Sequence, residues 1–554
     1  MQTKLLIDLA EPGPSSSTGS EFAGRFREAP PSLSSRISLF VALRLPHQLV
    51  VTATSGTAAA GIGGTTIHSA LGLSFKDVDG RIVAPGANAN EERLRQRWLR
   101  RKVLVIDEAS MLGLATLYEI DQKLRSLRAQ PDCPFGGLPV IVLVSDFLQF
   151  GPVLPKSLLS HGPQVQPRAD NTTTKLWQES EARRLWQAFN HVVMLEEQKR
   201  ASADDFLQGF LERLRSGTQT PDDASKLAAR FTPGTKFDFS LGTRAIITLN
   251  RHRWDITLHA MLDYSNATGK RLSIFLSDHQ WKSRVPSTTE RTAAVLLGDE
   301  GKLPVPGMFP FVEGMPVLVN VNKYMGLKVV NGSEYEAAGI ILEPGVEEVV
   351  LSDHLSLFLG PPAGILLRSA DTQHLSIPHI PEGTVLLPAT TVTLEDKHAK
   401  ILCPELAGHK DFKLDITRTG LPCTPGVALT DFKAQGRSID HPLLGLYGRG
   451  KGRGRGSALD KCDAISVYVQ VSRATSWGGL RLMQPLDVKN FLSLRMPSDL
   501  VQGIDRLRSL AAQTVANYST RHSLRAPPAL AQGANGLEGN AAQGVLDNDA
   551  HQGY

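Results

Sequence analysis

The spacing of apolar and polar positions divides the chain into strand-then-helix units. Ile37, Leu39, Phe40, Ala42 and Leu43 fall on one helical face. Residues 48–54 (QLVVTAT) read as a strand, followed by the small-residue run 55–64 (SGTAAAGIGG). Small side chains let a backbone approach a ligand closely, although a tight loop with a small-residue helix packed on the sheet has the same composition. Residues 91–102 predict a basic amphipathic helix, with Leu94, Trp98 and Leu99 on its packed face. Val103, Leu104, Val105 and Ile106 then form a short apolar run rich in β-branched residues, as a fully buried strand requires. Leu114, Leu117, Leu124 and Leu127 keep helical spacing, and residues 140–144 and 192–195 read as two more apolar strands. Continuous apolar strands separated by helices predict a parallel sheet covered on both faces.

The second half repeats the theme with more turns. Phe206, Leu207, Phe210, Leu211 and Leu214 predict a helix ending near Gly217, and residues 243–250 open a second α/β unit. Residues 314–321 and the Asn331-Gly332 turn read as β-rich, and the prolines and short apolar runs of 335–422 suggest a small inserted β module. Residues 465–469 are expected to be the last strand. The Ser/Pro/Gly-rich stretch 11–35 and the Ala/Gln/Gly/Asn-rich chain after 510 read as disordered.

Composition narrows the class. A length of 554 residues suits three or four domains, and 41% hydrophobic with 21% charged residues suits a soluble protein with sizeable cores. The formal charge of +5 permits a nucleic-acid partner but is thin over so long a chain. Cys133, Cys403, Cys423 and Cys462 are scattered without paired zinc spacing, which reads as reduced thiols in an intracellular protein. The apolar run at the N-terminus is short and carries Asp8, so it is no signal peptide, and no apolar stretch reaches membrane-spanning length.

The chemistry concentrates at strand ends. Asp107 and Glu108 follow the 103–106 strand, at the edge where a parallel sheet presents its ligands. One carboxylate can hold a Mg²⁺ bound to a nucleoside triphosphate while its neighbour deprotonates an attacking water. A solvated acidic turn is the plain alternative. Gln149 ends the next strand, placed to contact a γ-phosphate or its water. Residues 428–440 (ALTDFKAQGRSID) bring a lysine, an amide and a glycine to a strand-to-helix turn. In residues 448–456 (GRGKGRGRG), arginines and a lysine alternate with glycines; such a tract can touch phosphates or stack on bases, or be a solvated insertion.

In order, these pieces resemble the motifs of the Pif-one family of ATP-dependent DNA helicases, in helicase superfamily one. TATSGTAAAGIGGTTIHSALGL resembles motif Ia, VLVIDEASML motif two, FGGLPVIVLVSDFLQFGPV motif three, LEEQKR motif four, ALTDFKAQGRSID motif five and VYVQVSRATSWGGLRL motif six. EGMPVLVN with GLKVVNG resembles a further family segment, and the order holds from about residue 48 to 483. The resemblance implies an α/β fold of two RecA-like P-loop NTPase domains, with an SH3-like β insertion in the second. Expected boundaries are a lead at 1–36, a first domain at 37–200 with a small insertion at 66–100, and a second domain at 201–334 and 423–510. The β module takes 335–422 and a tail 511–554. It further implies ATP and Mg²⁺ as cofactors, with Asp107 holding the metal, Glu108 activating water, Gln149 sensing the γ-phosphate, and Arg200 and Arg473 stabilising phosphoryl charge. Gln435 and Gly436 are implied to line the cleft. Thr54, Thr57, His68, Thr430 and Lys433 are implied DNA contacts. The implied work is 5′→3′ unwinding of single-stranded, forked or G-quadruplex DNA in repair, recombination and telomere maintenance, in the nucleus or mitochondrion.

The departures have consequences. A P-loop needs G-x-x-x-x-G-K-[ST], whose amides and lysine cradle the β- and γ-phosphates. No such string occurs in the chain, and residues 31–38 (PSLSSRIS) stand at the corresponding place. Ser145 and Gly151 replace a family glycine and proline. Two expectations follow: a helicase whose true N-terminal segment lies outside these 554 residues, or a helicase-derived protein that binds single-stranded DNA without turning over ATP.

Overall fold

The structure is a computed structural model, and it describes residues 5–8, 45–73, 89–152, 156–162, 175–234, 239, 242–282, 284–300, 303–327, 329–405, 414–448 and 462–523. The helix expected over 37–43 and most of the Arg/Gly tract lie outside these residues.

The first unit is a six-stranded sheet. Its strands are β1 (Leu5–Asp8), β2 (Leu49–Ala53), β3 (Thr65–Thr66), β4 (Val103–Asp107), β5 (Val140–Ser145) and β6 (His191–Met194), in the order β3-β2-β4-β5-β1-β6. Strands β2 to β5 run parallel, as the continuous apolar runs predicted. Strand β1 enters between β5 and β6 antiparallel to both, Leu5 pairing with Ser145 and Met194, and Asp8 with Val142 and His191. Thus residues 5–8, inside the lead expected to be disordered, complete the sheet. Because β1 runs backwards, the chain leaves it at the end of the sheet away from Asp107 and Ser145. Within the run after β2, residues 56–61 form the small-residue helix of the plain alternative, α1 (Gly56–Gly61), with the Ser55 hydroxyl accepting from the Ala58 N–H.

The second unit has a parallel sheet of Ala428–Thr430, β7 (Thr243–Ile247), His441–Leu444 and Arg481–Leu482, in that order. Two helices flank the cleft side: α2 (Asp431–Ala434) and α3 (Ala464–Val471). Residues 465–469 were expected to be a strand and are helical. Every residue of α3 except Ile465 is buried, so the segment is apolar all round and shows no 3.6-residue period. Its start is set by the Asp463 carboxylate, which accepts from the Ser466 N–H at 2.8 Å.

The β module starts earlier than residue 335. Leu272–Leu276 and Met308–Phe311 form a sheet with Leu355–Phe358 and Glu348–Ser352, while Asp278–Trp281 pairs with Ile416–Gly420. A five-stranded antiparallel sheet joins Pro316–Val319 and Glu334–Ile341 to Gly364–Arg368, Thr384–Pro388 and Cys423–Pro425. These pairings link segments up to about 140 residues apart, which no local period announces.

Residues 511–523 depart from expectation. They belong to helix α4 (Ser498–Ser523), which buries Leu500, Ile504, Leu507 and Ala511. It packs on β6, where the Thr514 hydroxyl accepts from the Val192 N–H at 3.0 Å. The second unit therefore reaches back to the first, and one hydrophobic core runs through residues of both, from Leu104 and Ile106 to Ile246, Leu429 and Leu444.

Candidate functional site: the cleft between the two α/β units

Asp107 and Glu108 end β4 and are nearly fully buried, at 3% and 8% exposure. Glu108 adopts φ 52°, a left-handed conformation that costs a non-glycine residue free energy and recurs at functional positions. The turn is held from both sides. The Thr54 hydroxyl donates to the Glu108 carbonyl at 2.8 Å, and the Ser145 hydroxyl accepts from the Ser110 N–H at 2.6 Å. Ser145, a departure from the family pattern, thus braces the acidic turn.

Five contacts cross the cleft. Gln435, next to α2, donates its amide to the Glu108 carboxylate at 3.1 Å. Gly436 (φ +81°) brings its Cα so close that a Cβ there would lie 3.7 Å from Glu108 Oε1. Phe150 of the first unit stacks on Phe432 of α2, with centroids 4.2 Å apart and planes at 24°. Asp146, at the end of β5, accepts from the Tyr468 hydroxyl of α3 at 2.8 Å and from Arg215 at 3.2 Å. Finally, the Asn331-Gly332 turn sits on Thr57: a Cβ on Gly332 (φ +91°) would overlap the Thr57 hydroxyl.

Asp146 also organises Gln149, whose amide donates to the same carboxylate oxygen at 3.3 Å. Since a carboxylate only accepts, the Gln149 NH₂ faces Asp146 and its Oε1 is left buried without a partner among the described residues. Gln435 Oε1 and Gln198 Nε2 are likewise buried and unpartnered. Burial and Asp146 push the Tyr468 phenol up, and despite its own burial the neighbouring Asp146 raises Arg215.

The two arginines expected to act on a phosphoryl group lie close to Glu108. Arg200 donates to the Ser438 hydroxyl and to the Ser472 carbonyl, both at 2.7 Å. Burial, with the neighbouring Arg473 charge, depresses it to about 9. Arg473 is fully buried and donates to the Val469 carbonyl at 2.8 Å and the Ser472 hydroxyl at 2.6 Å; burial lowers it too. Two desolvated cations that disfavour one another are the surroundings an anion relieves.

Four of the five expected DNA contacts have side-chain partners within the chain. Thr54 braces the Glu108 turn, and Thr57 lies under the Asn331-Gly332 turn. The Thr430 hydroxyl caps α2 by accepting from the Lys433 N–H, and His68 is half-buried, which lowers its pKa. Lys433 donates to Asp299 at 3.3 Å and Asn320 at 3.2 Å, and burial lowers it. Sequence reading missed Asp146, Phe150, Arg215, Phe432 and Tyr468. Only Arg215 had a local signal, a cation on the otherwise apolar 206–214 helix face; the rest appear once the units are docked.

Residues 37–225 match the PIF1-like helicase family. The chain is 32% identical over 190 residues to the ATP-dependent DNA helicase PIF5 of Trypanosoma brucei, covering 32% of this chain and 20% of that protein. It is 40% identical over 108 residues to mouse PIF1, covering 20% and 16%. The matched stretches thus span about a fifth of the length of these relatives. Among solved structures, Candida albicans Pif1 aligns with a TM-score of 0.51 at 19% identity, covering 85% of this chain and 91% of that one. Bacteroides Pif1 bound to single-stranded DNA gives 0.53 at 19%, covering 86% and 89%. At that identity the likeness is one of fold: two RecA-like units in an α/β chain. Over residues 37–225 the chain is thus similar in sequence to the PIF1-like helicases, and it shares the fold of the solved Pif1 structures.

Proposed function

We propose that this chain is the DNA-handling and water-activating part of an ATP-dependent 5′→3′ DNA helicase, with ATP as its substrate and single-stranded DNA, forks or G-quadruplexes as its partners. The observation that carries the reading is the cleft itself. Glu108, Gln149, Arg200 and Arg473 come from four separate segments and lie near buried polar atoms that have no partner among the described residues. That Bacteroides Pif1 is described bound to DNA and to ADP-AlF3 supports the assignment of partner and substrate.

The residues present fit part of a nucleotide. Asp107 would hold Mg²⁺. Among the described residues no group of three or more His, Cys, Asp or Glu gathers as metal ligands, so the remaining ligands would be phosphate oxygens and water. Glu108 takes the water proton, Gln149 Oε1 accepts from the same water and orients it, and Arg200 and Arg473 face developing negative charge. The phosphate cradle does not fit: the sequence has no G-x-x-x-x-G-K-[ST], and β1, at the sheet position beside β5, runs away from the site. This 554-residue polypeptide by itself should therefore turn over ATP near background, and DNA binding without turnover is the second reading. Work in repair, recombination and telomere maintenance, with a nuclear or mitochondrial location, belongs to the same proposal.

The test is ATP hydrolysis with and without single-stranded DNA. Turnover of about 1 s⁻¹ or more would overturn the impaired-turnover part. Absence of single-stranded DNA binding at low salt would sink the helicase-derived reading altogether. Sequencing the transcript upstream of Met1 checks the P-loop question separately: an in-frame exon bearing the motif is expected if the cradle belongs to a longer product.

A further inference from the structure

Away from the cleft, the β module carries an edge that nothing in the mechanism uses. Glu348–Ser352 is the outer strand of the sheet that continues through Leu355–Phe358, Leu272–Leu276 and Met308–Phe311. Natural edge strands are usually blunted by lysine, proline or a covering element, because a free row of N–H and C=O groups recruits other strands. This one has Val350 and Leu351 at its centre, exposed by 63% and 55%, with Ile341, Leu342 and Leu359 also exposed beside it. A bulge at Leu351, between the pairs Val350–Ser356 and Ser352–Leu355, turns that side chain outward. Five of the large exposed apolar side chains thus fall within residues 341–359, more than scattered surface leucines and valines would give.

At the N-terminal end of the same strand lies a cavity of about 280 Å³ lined by Phe275, Leu342, Pro344, Val346, Phe358 and Pro361. Phe275 and Phe358 stack in its wall with centroids 4.4 Å apart, and the Pro344-Gly345 turn (Gly345 φ +85°) closes it. The volume suits one or two aliphatic side chains. The surroundings are acidic: Glu343 lines the pocket, Glu347 precedes the strand and Asp353 follows it in the turn, none with an ion pair among the described residues, while Glu348 pairs with Arg271 at 2.8 Å.

We propose that this edge and pocket form a docking site for an extended segment of a partner protein, one that carries lysines or arginines around alternating apolar residues. Such a segment adds a strand beside Glu348–Ser352 through main-chain hydrogen bonds, seats one apolar side chain in the pocket and sets its cations against the acidic rim. The rim selects the occupant. A second copy of this edge would place like charges face to face, and a nucleic-acid phosphate would be repelled by the same carboxylates. The proposal stands apart from nucleotide turnover and from DNA binding in the cleft.

The experiment uses the full chain and a fluorescent twelve-residue peptide of alternating valine and lysine, with an alternating valine and glutamate peptide as control. The lysine peptide is expected to bind, and to slow backbone hydrogen exchange at residues 347–353. Leu342→Asp should weaken it at least tenfold through the pocket, and the Glu343→Lys/Glu347→Lys pair should do so through the rim. All three positions are exposed or at the pocket mouth, so melting temperature and single-stranded DNA binding should stay at the parent values. Equal binding of the glutamate peptide, unchanged affinity in both variants, or no protection at 347–353 would each overturn the proposal. So would displacement of the peptide by oligothymidylate, or a concentration-dependent dimer that protects the same edge without peptide.

Discussion

Tyr468 shows at residue scale how the cleft is held. Its hydroxyl donates to Asp146 at 2.8 Å and accepts from Arg215 at 2.6 Å, all three side chains being buried. Removing the hydroxyl in Tyr468→Phe leaves the Asp146–Arg215 pair in place, and should cost about 1–3 kcal/mol in urea denaturation. Arg215→Met strands the buried Asp146 carboxylate and should cost more, about 3–5 kcal/mol by the same measurement. His279 gives a pH signature. Burial and the adjacent Arg418 charge lower it to about 4, and its Nε2 accepts from Arg418 at 2.8 Å. In the unfolded chain it titrates near its ordinary value of about 6.5. Between those values the unfolded chain takes up a proton that the folded one does not, so this contribution is complete above pH 6.5 and falls as pH drops towards 4. Urea midpoints at pH 7 and pH 5 should therefore diverge more for the parent than for His279→Gln, by on the order of 1 kcal/mol.

At the scale of elements, small structures carry large responsibilities. Helix α2 is four residues long, yet it places Phe432 on Phe150, Lys433 on Asp299 and the following Gln435 on Glu108. A helix this short depends on its cap. Thr430→Ala should cost about 1 kcal/mol, read as a lowered melting temperature. The Asn331-Gly332 turn is equally constrained: Gly332 has φ +91° and no room for a Cβ beside Thr57. Gly332→Ala should therefore push the two units apart at that end, visible as a larger radius of gyration by X-ray scattering. An unchanged radius would mean that the turn yields without moving the units.

For the whole molecule, binding and turnover should separate. Single-stranded DNA affinity should fall steeply with salt if phosphate contacts dominate, whereas ATP turnover should stay near background at every salt concentration. Deleting residues 448–456 should weaken that affinity; an unchanged value would make the Arg/Gly tract a solvated insertion. The docked arrangement also explains why the cleft contacts matter together. Five cross-cleft contacts, α4 on β6 and a core shared by both units make the relative placement of the units a property of the whole chain.

The sequence by itself determined the parallel strands, because their continuous apolar runs permit burial on both faces, and it determined the ligand edge, because Asp107, Glu108 and Gln149 follow those runs directly. The order of motifs was equally readable, since each carries its chemistry within a few residues. Tertiary structure decided what depends on distant partners. It made residues 464–471 a helix, since burial on all sides erases the period by which a helix is read. It gave Thr57 and Lys433 internal partners and set β1 backwards beside β5. It also brought Asp146, Arg215 and Tyr468 together across 322 positions of chain. Local pattern records what a segment prefers alone; which side chains share a buried hydrogen bond is fixed only when the units dock.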